Sequence, residues 1–382
     1  MDKFKRLIAE RHEYARNWKA RTGGQVVGWY EPYFPEELAY AAGMLPVRLL
    51  AVHEEDDTSE KWMYAACYPA RDILNQFLKG RYDYIDSIVN VEGCQWMYHA
   101  YESTLRNQNL KNHYVFLPDY TDAPTSKDVT RSEFSVLLEK FMEWTGRTVT
   151  DADLDYAIEV YNKNRLLLRQ IYELRRFQRP VITGSEMMNI IIADQIMDKA
   201  EMNVILSEFL EEVQEREPRK DCLRLMLVGS ETSDTELEEL VESLGADIVC
   251  DELDTGSGYI WNNVLPQKDR LMAIAMRYLG RPHNPIKDNN WRRRPQHIFE
   301  MTEDFAVDGV IIAKQIYCHL HGTDNYAVWK LLRERNIPYL YFERDTTLPL
   351  EETSLRLESF FNYVKQGATH IAGWHKTFDQ SG

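Results

Sequence analysis

Short runs of β-branched residues alternate with stretches of helical spacing along this 382-residue chain, and no other feature restricts its fold as much. Strand-like runs fall at residues 25–30, 45–50, 87–91 and 113–117, the last closed by Pro118. Helical segments lie between and after them. One covers 36–42 with Gly43 as its stop, one carries the stripe Ile73, Leu74, Phe77 and Leu78 up to Gly80, and one covers 95–106. The pattern restarts later, with strands at 223–228, 247–250, 309–313 and 338–342 and helices at 234–244, 324–336 and 353–364. Such alternation marks parallel strands, because each crossover helix returns over a face of the sheet before the next strand pairs. A helix at 3–20 precedes the first strand. Thr150 and Asp153 form a helix-start signal for a region running to Arg179, and two further helices fill 185–217. The expected fold is α/β, with two doubly wound parallel-sheet domains (1–150 and 221–382) joined by a helical bridge at 151–220.

The cysteines gain their interest from this layout. Cys67 precedes Pro69, which suits a first helical turn, so Cys67 stands at a helix start. Cys94 leaves the carboxyl end of the strand 87–91, and Cys318 lies just beyond the strand 309–313. In open α/β sheets that edge is where ligands bind. Five cysteines in a chain of this size do not form a disulfide framework. Nor are Cys67, Cys94 and Cys318 spaced like the close pairs of structural zinc sites, so spacing leaves thiol packing, metal ligation and nucleophilic chemistry all open. Cys222 and Cys250 read as buried, inert thiols.

Several function classes are disfavoured. A net charge of −16 argues against nucleic acid or an anionic membrane surface as partner. No apolar run approaches the ~20 residues of a membrane helix, and the charged, amphipathic N-terminus does not resemble a signal peptide, so a cytoplasmic location is expected. Neither a Walker A loop nor a G-x-G-x-x-G fingerprint is present, and Gly256-Ser257-Gly258 is too short for either.

The stretch from Pro35 to Val47, PEELAYAAGMLPV, resembles the N-terminal signature of the 2-hydroxyacyl-CoA dehydratase and benzoyl-CoA reductase family. The Cys67 helix, the segment KGRYDYID at 79–86 and Cys94 follow in that family's order. Gly229-Ser230-Glu231-Thr232, residues 240–245, the Cys318 segment and IPYLYFERDTTLP at 337–349 resemble its second half. The resemblance implies a [4Fe–4S] cluster between the two sheet domains, held by three cysteine ligands, Cys67, Cys94 and Cys318, with a non-cysteine ligand on the fourth iron. It implies a homologous second subunit, a separate ATP-hydrolysing iron–sulfur activator, an acyl-CoA substrate and sensitivity to oxygen.

Two chemistries follow from the resemblance. One is electron transfer to the aromatic ring of benzoyl-CoA, giving a cyclic dienoyl-CoA. The other is loss of water from a 2-hydroxyacyl-CoA through a ketyl radical. The runs CHLHGTDNY from Cys318 and GSGYIW from Gly256 resemble a reductase subunit more closely, and the chain departs from the commoner Cys-Asp-Pro-His form after its third cysteine. A non-catalytic electron relay is a third possibility. His319 and His321 are the candidate proton donors or cluster hydrogen-bond donors, against a reading as ordinary loop histidines. Glu36 and Glu37 suit a helix start on dipole grounds alone, with a catalytic role as the alternative. Trp291-Arg292-Arg293-Arg294 is either a contact for CoA phosphates or a solvated basic loop.

Overall fold

The computed structural model describes residues 2–54, 58–287 and 293–367. Its eight strands make two all-parallel sheets. The first contains β1 (Val26–Trp29), β2 (Leu45–Arg48), β3 (Ser87–Val91) and β4 (Lys111–Val115) in the order β2-β1-β3-β4. The second contains β5 (Leu223–Gly229), β6 (Ala246–Glu252), β7 (Gly309–Gln315) and β8 (Tyr339–Arg344) in the order β6-β5-β7-β8. The two orders are the same. In each sheet the chain direction reverses across the strand laid down first, which opens a crevice between β1 and β3 and another between β5 and β7.

The inner strands are buried on both faces, which is why they read as continuous apolar runs without alternation. The edge strand β4 instead exposes Lys111, Asn112 and Tyr114 along much of its length. Polar edge residues discourage pairing with a second chain. Gly229 ends β5 where it parts from β7, and a Cβ there would overlap the carbonyl oxygen of Ala313. Only glycine fits so close an approach.

The helices differ from expectation mainly at their limits. The segment read as 3–20 is two helices, Asp2–Ala9 and Arg11–Thr22. Ser126–Thr145, Arg270–Leu279 and Arg293–Asp304 are helices in stretches where periodicity marks none. The largest shift concerns the segment after β7. Its helix is His319–Glu334, not 324–336, so His319 and His321 belong to a first helical turn and not to a loop.

The expected bridging helices are Asp151–Glu173, Gly184–Asp194 and Lys199–Gln214. Thr150 and Asp153 cap the first reciprocally: the Asp153 N–H donates to Thr150 Oγ1 and the Thr150 N–H to Asp153 Oδ2. This long helix touches both halves. Arg165 pairs with the buried carboxylate of Glu37 on one side, and the Tyr172 hydroxyl donates to Asp251 Oδ2 at 3.0 Å on the other. Glu36 and Glu37 open the helix Glu36–Ala41 as expected, and both are buried core groups. Lys199 Nζ lies 2.8 Å from Asp194 and 3.7 Å from Glu36, and the Tyr278 hydroxyl donates to Glu37. Burial opposes the charge on Glu37, but Arg165 and then Arg277 outweigh it and hold the carboxyl below its usual range.

These buried charges govern how the fold responds to substitution and to pH. Arg165→Met leaves Glu37 ionised without its counter-ion and is expected to cost about 3–5 kcal/mol in urea unfolding. Glu238, 1% exposed, lacks a hydrogen-bond partner for either carboxylate oxygen among the described residues. Burial, reinforced by Asp234, pushes its carboxyl up from 4.5 to about 8. The stability that its neutral form contributes is complete below pH 4.5 and is lost as pH rises to about 8. Glu238→Gln should therefore melt several degrees above the parent protein at pH 8 and close to it at pH 5.

Candidate functional site

The carboxyl ends of the two sheets face each other across the crevices. Cys94 follows β3 and is the N-cap of the helix Gln95–Asn107. Cys318 follows β7 and is the N-cap of the helix His319–Glu334. Cys67 is the N-cap of the helix Tyr68–Leu78, with Pro69 in its first turn as the sequence predicts. All three cysteines thus sit at the positive end of a helix. The backbone N–H groups of Ala70, Met97 and His321, each three residues on, favour the thiolate forms of Cys67, Cys94 and Cys318 respectively.

The three thiols lie within electrostatic reach of one another. Burial raises the Cys94 thiol well above its usual range, and Glu31, Cys67 and Cys318 raise it further. Burial likewise pushes Cys67 up to about 12, with Cys318 and Glu231 adding to it, and Cys318 up to about 11. Thiols so raised stay protonated at neutral pH unless a cation draws the protons off. The three sulfurs do not all lie within 4.8 Å of one another. A single zinc ion needs its sulfurs about 3.8 Å apart, so this spacing does not suit one ion.

Three buried carboxylates accompany the thiols, each at a strand exit. Glu31, just past β1, accepts the Cys94 N–H at 2.9 Å. Glu231, just past β5, faces Cys67 electrostatically, and Asp254, just past β6, faces Cys318. Burial raises Glu31 to about 8 and Glu231 to about 7, opposed in both by the guanidinium of Arg48. Arg48 ends β2, is 1% exposed, and reaches across to Glu231 Oε2 at 3.4 Å and the Asp254 carbonyl at 3.2 Å. None of these acids is among the residues expected at the site from sequence. Their signal is a carboxylate placed two residues beyond a strand, in Trp29-Tyr30-Glu31, Gly229-Ser230-Glu231 and Glu252-Leu253-Asp254.

The two candidate histidines have different surroundings. His321 is buried, with Nε2 3.4 Å from Asp254 Oδ2 and Nδ1 3.4 Å from Arg294 Nη2. His319 is exposed and tilts against Trp96, whose indole N–H donates to the Tyr317 carbonyl at 3.0 Å. That bond ties the Cys94 helix to the turn that carries Cys318. Of the basic run, Trp291 and Arg292 lie outside the described residues. Arg293 pairs with Asp122 at the surface, whereas Arg294 is buried between Glu252 and Asp324 and is no solvated loop residue.

Cys222 is half-buried and Cys250 fully buried inside β6, and burial raises both thiols. A further group has no counterpart among the sequence motifs. His53, Asp234 and Glu236 bring three ligand atoms within 4.8 Å of one another, with Arg344 2.7 Å from Asp234 already supplying positive charge there.

Known proteins match this chain over most of its length. The chain is 23% identical to the (R)-phenyllactyl-CoA dehydratase beta subunit of Clostridium sporogenes, over 94% of this chain and 96% of that one. It is 25% identical to a benzoyl-CoA reductase subunit of Thauera aromatica, over 86% of this chain and 88% of that one. It is 23% identical to the beta subunit of (R)-2-hydroxyglutaryl-CoA dehydratase from Acidaminococcus fermentans, over 94% and 97%. The pattern described as 2-hydroxyglutaryl-CoA dehydratase, D-component, matches residues 32–364, and the chain belongs to that family.

Proposed function

We propose that this chain is the iron–sulfur subunit of an ATP-dependent benzoyl-CoA reductase. The observation that carries the reading is the convergence of Cys67, Cys94 and Cys318, each at a helix N-terminus, where the carboxyl ends of two parallel sheets meet. The donor set fits a [4Fe–4S] cluster between two sheet domains. Thiolates are the preferred ligands of such clusters, three helix N-termini offset their negative charge, and the sulfurs stand too far apart for one ion. When bound, the cluster supplies one-electron transfer at low potential.

The chain's own residues have separable tasks. The three cysteines hold the cluster. The N–H groups of Ala70, Met97 and His321 favour their thiolates. His321, held between Asp254 and Arg294, hydrogen-bonds toward the site, and the exposed His319 carries protons at its rim. The trio of domains at 1–150, 151–220 and 221–382 belongs to the same reading. So do a homologous second subunit, a separate ATP-hydrolysing activator and a cytoplasmic location. Low-potential electrons arrive from the activator and leave to the aromatic ring of an acyl-CoA, giving a cyclic dienoyl-CoA.

A second reading, a 2-hydroxyacyl-CoA dehydratase subunit, has equal support from the relatives, two of which are named as beta subunits of such dehydratases. Among the described residues no helix is long and apolar enough to cross a membrane, which accords with either.

Two measurements decide between outcomes. Protein purified without air is expected to carry four irons and four sulfides per chain, and Cys67→Ala to lose most of that iron while keeping its fold by circular dichroism. An unchanged metal content in the variant sinks the site assignment. With partner subunit, activator and ATP present, benzoyl-CoA should be consumed with formation of a dienoyl-CoA. Turnover of a 2-hydroxyacyl-CoA in its place selects the dehydratase.

A further inference from the structure

Three cysteines leave one iron of a four-iron cluster to be bound by something else. The three carboxylates around the thiols are the oxygen donors at hand, and their hydrogen bonds separate them. Asp254 accepts the Asn284 amide on Oδ1, and His321 Nε2 lies 3.4 Å from its Oδ2 in a charge contact that is not a hydrogen bond. Glu31 spends Oε1 on the Cys94 N–H. Glu231 differs. Its Oε2 meets Arg48, but its Oε1 is buried with no hydrogen-bond partner among the described residues, in a side chain whose residue is only 8% exposed. A buried carboxylate oxygen without a donor is costly; at Glu238 the strongest electrostatic neighbour is the carboxylate of Asp234, whereas at Glu231 the neighbours are the arginine Arg48 and the thiol of Cys67.

The loop holding Glu231 is fixed beside the third cysteine. The Gln315 N–H donates to Ser230 Oγ at 2.9 Å, Gln315 Nε2 donates to the Glu231 carbonyl at 3.2 Å, and the Cys318 N–H donates to the Gln315 carbonyl at 3.0 Å. Ser230 also interacts directly with the Cys318 thiol. Thus β5 and β7, the two strands of one crevice, deliver Glu231 and Cys318 as neighbours. Glu231 also faces Cys67 electrostatically.

We infer that Glu231 is the non-cysteine ligand of the site, its unpartnered Oε1 binding the iron that Cys67, Cys94 and Cys318 leave free. The inference rests on the cluster reading and goes beyond it by naming the fourth donor. It gives the orphaned oxygen a partner and assigns Arg48 to position the carboxylate through Oε2. Glu31 and Asp254 then serve the ring around the cluster without touching the fourth iron.

The test uses protein loaded with iron-57 and prepared without oxygen. In the parent protein Mössbauer spectra should show one iron with oxygen ligation, and electron–nuclear double resonance in water labelled with oxygen-17 should show no coupling from solvent. In Glu231→Gln, which keeps the side chain's size, the oxygen-17 coupling should appear as water takes the vacated position. Loss of one iron to a chelator should become about ten- to a hundredfold faster, the usual cost of disturbing a metal's support. Strong solvent coupling in the parent, or a variant with unchanged spectra and unchanged chelation rate, overturns the assignment of Glu231. The parent measurement decides the matter alone if the variant does not fold. Absence of iron from the parent after anaerobic reconstitution overturns the cluster reading itself, and is recognised before any variant is made.

Discussion

The buried guanidinium of Arg48 is the constraint on which the interior arrangement depends. It closes β2 of the first sheet, lies over the Trp29 ring, and takes its partners from elsewhere in the chain: Gln195 from the bridge, Glu231 and the Asp254 carbonyl from the second sheet. A charge so deeply enclosed is tolerable only with its partners in place, because desolvation of an unpaired ion costs several kcal/mol. Arg48 therefore couples the mutual placement of the two halves to the folding of each. The same apposition brings Cys67 and Cys94 from one half toward Cys318 from the other.

Other contacts along this seam point the same way. The Ser233 hydroxyl donates to the Ala51 carbonyl at 2.6 Å, Arg71 pairs with Asp345, and the Trp96 indole holds the Tyr317 carbonyl. Burial there serves chemistry as well as stability. Thiols and carboxylates are crowded into one enclosed space where each raises the others, an arrangement that favours a cation over protons once a cation is available. Such crowding costs stability, and the buried pairs Arg165–Glu37 and Lys199–Asp194 show that the helices at 151–220 also rest on enclosed charge.

The strands were legible because parallel strands buried on both faces leave a composition that little else produces, as in Ser87–Val91 and Gly309–Gln315. One long helix was legible from a standard start signal, at Thr150. The helix after Cys318 was misplaced, although those after Cys67 and Cys94 were not: a cysteine is no favoured cap, and Gly322 reads as a break. That is why the helix His319–Glu334 was expected to begin near residue 324, beyond Gly322. Arg294 was misread for a related reason: its counter-ions Glu252 and Asp324 come from distant segments, and a basic run says nothing of them.

The sequence by itself determined the α/β class, the two strand series and the position of Cys67, Cys94 and Cys318 at strand or helix ends, since these depend on local periodicity and on turn chemistry. Family resemblance singled out Cys67, Cys94 and Cys318 from the five thiols. Tertiary structure alone decided which carboxylates join them and which of those lacks a partner. Burial and hydrogen bonding between residues as far apart in the chain as Arg48 and Glu231 leave no periodic trace along it. They arise only when the carboxyl edges of two separately wound sheets are pressed together.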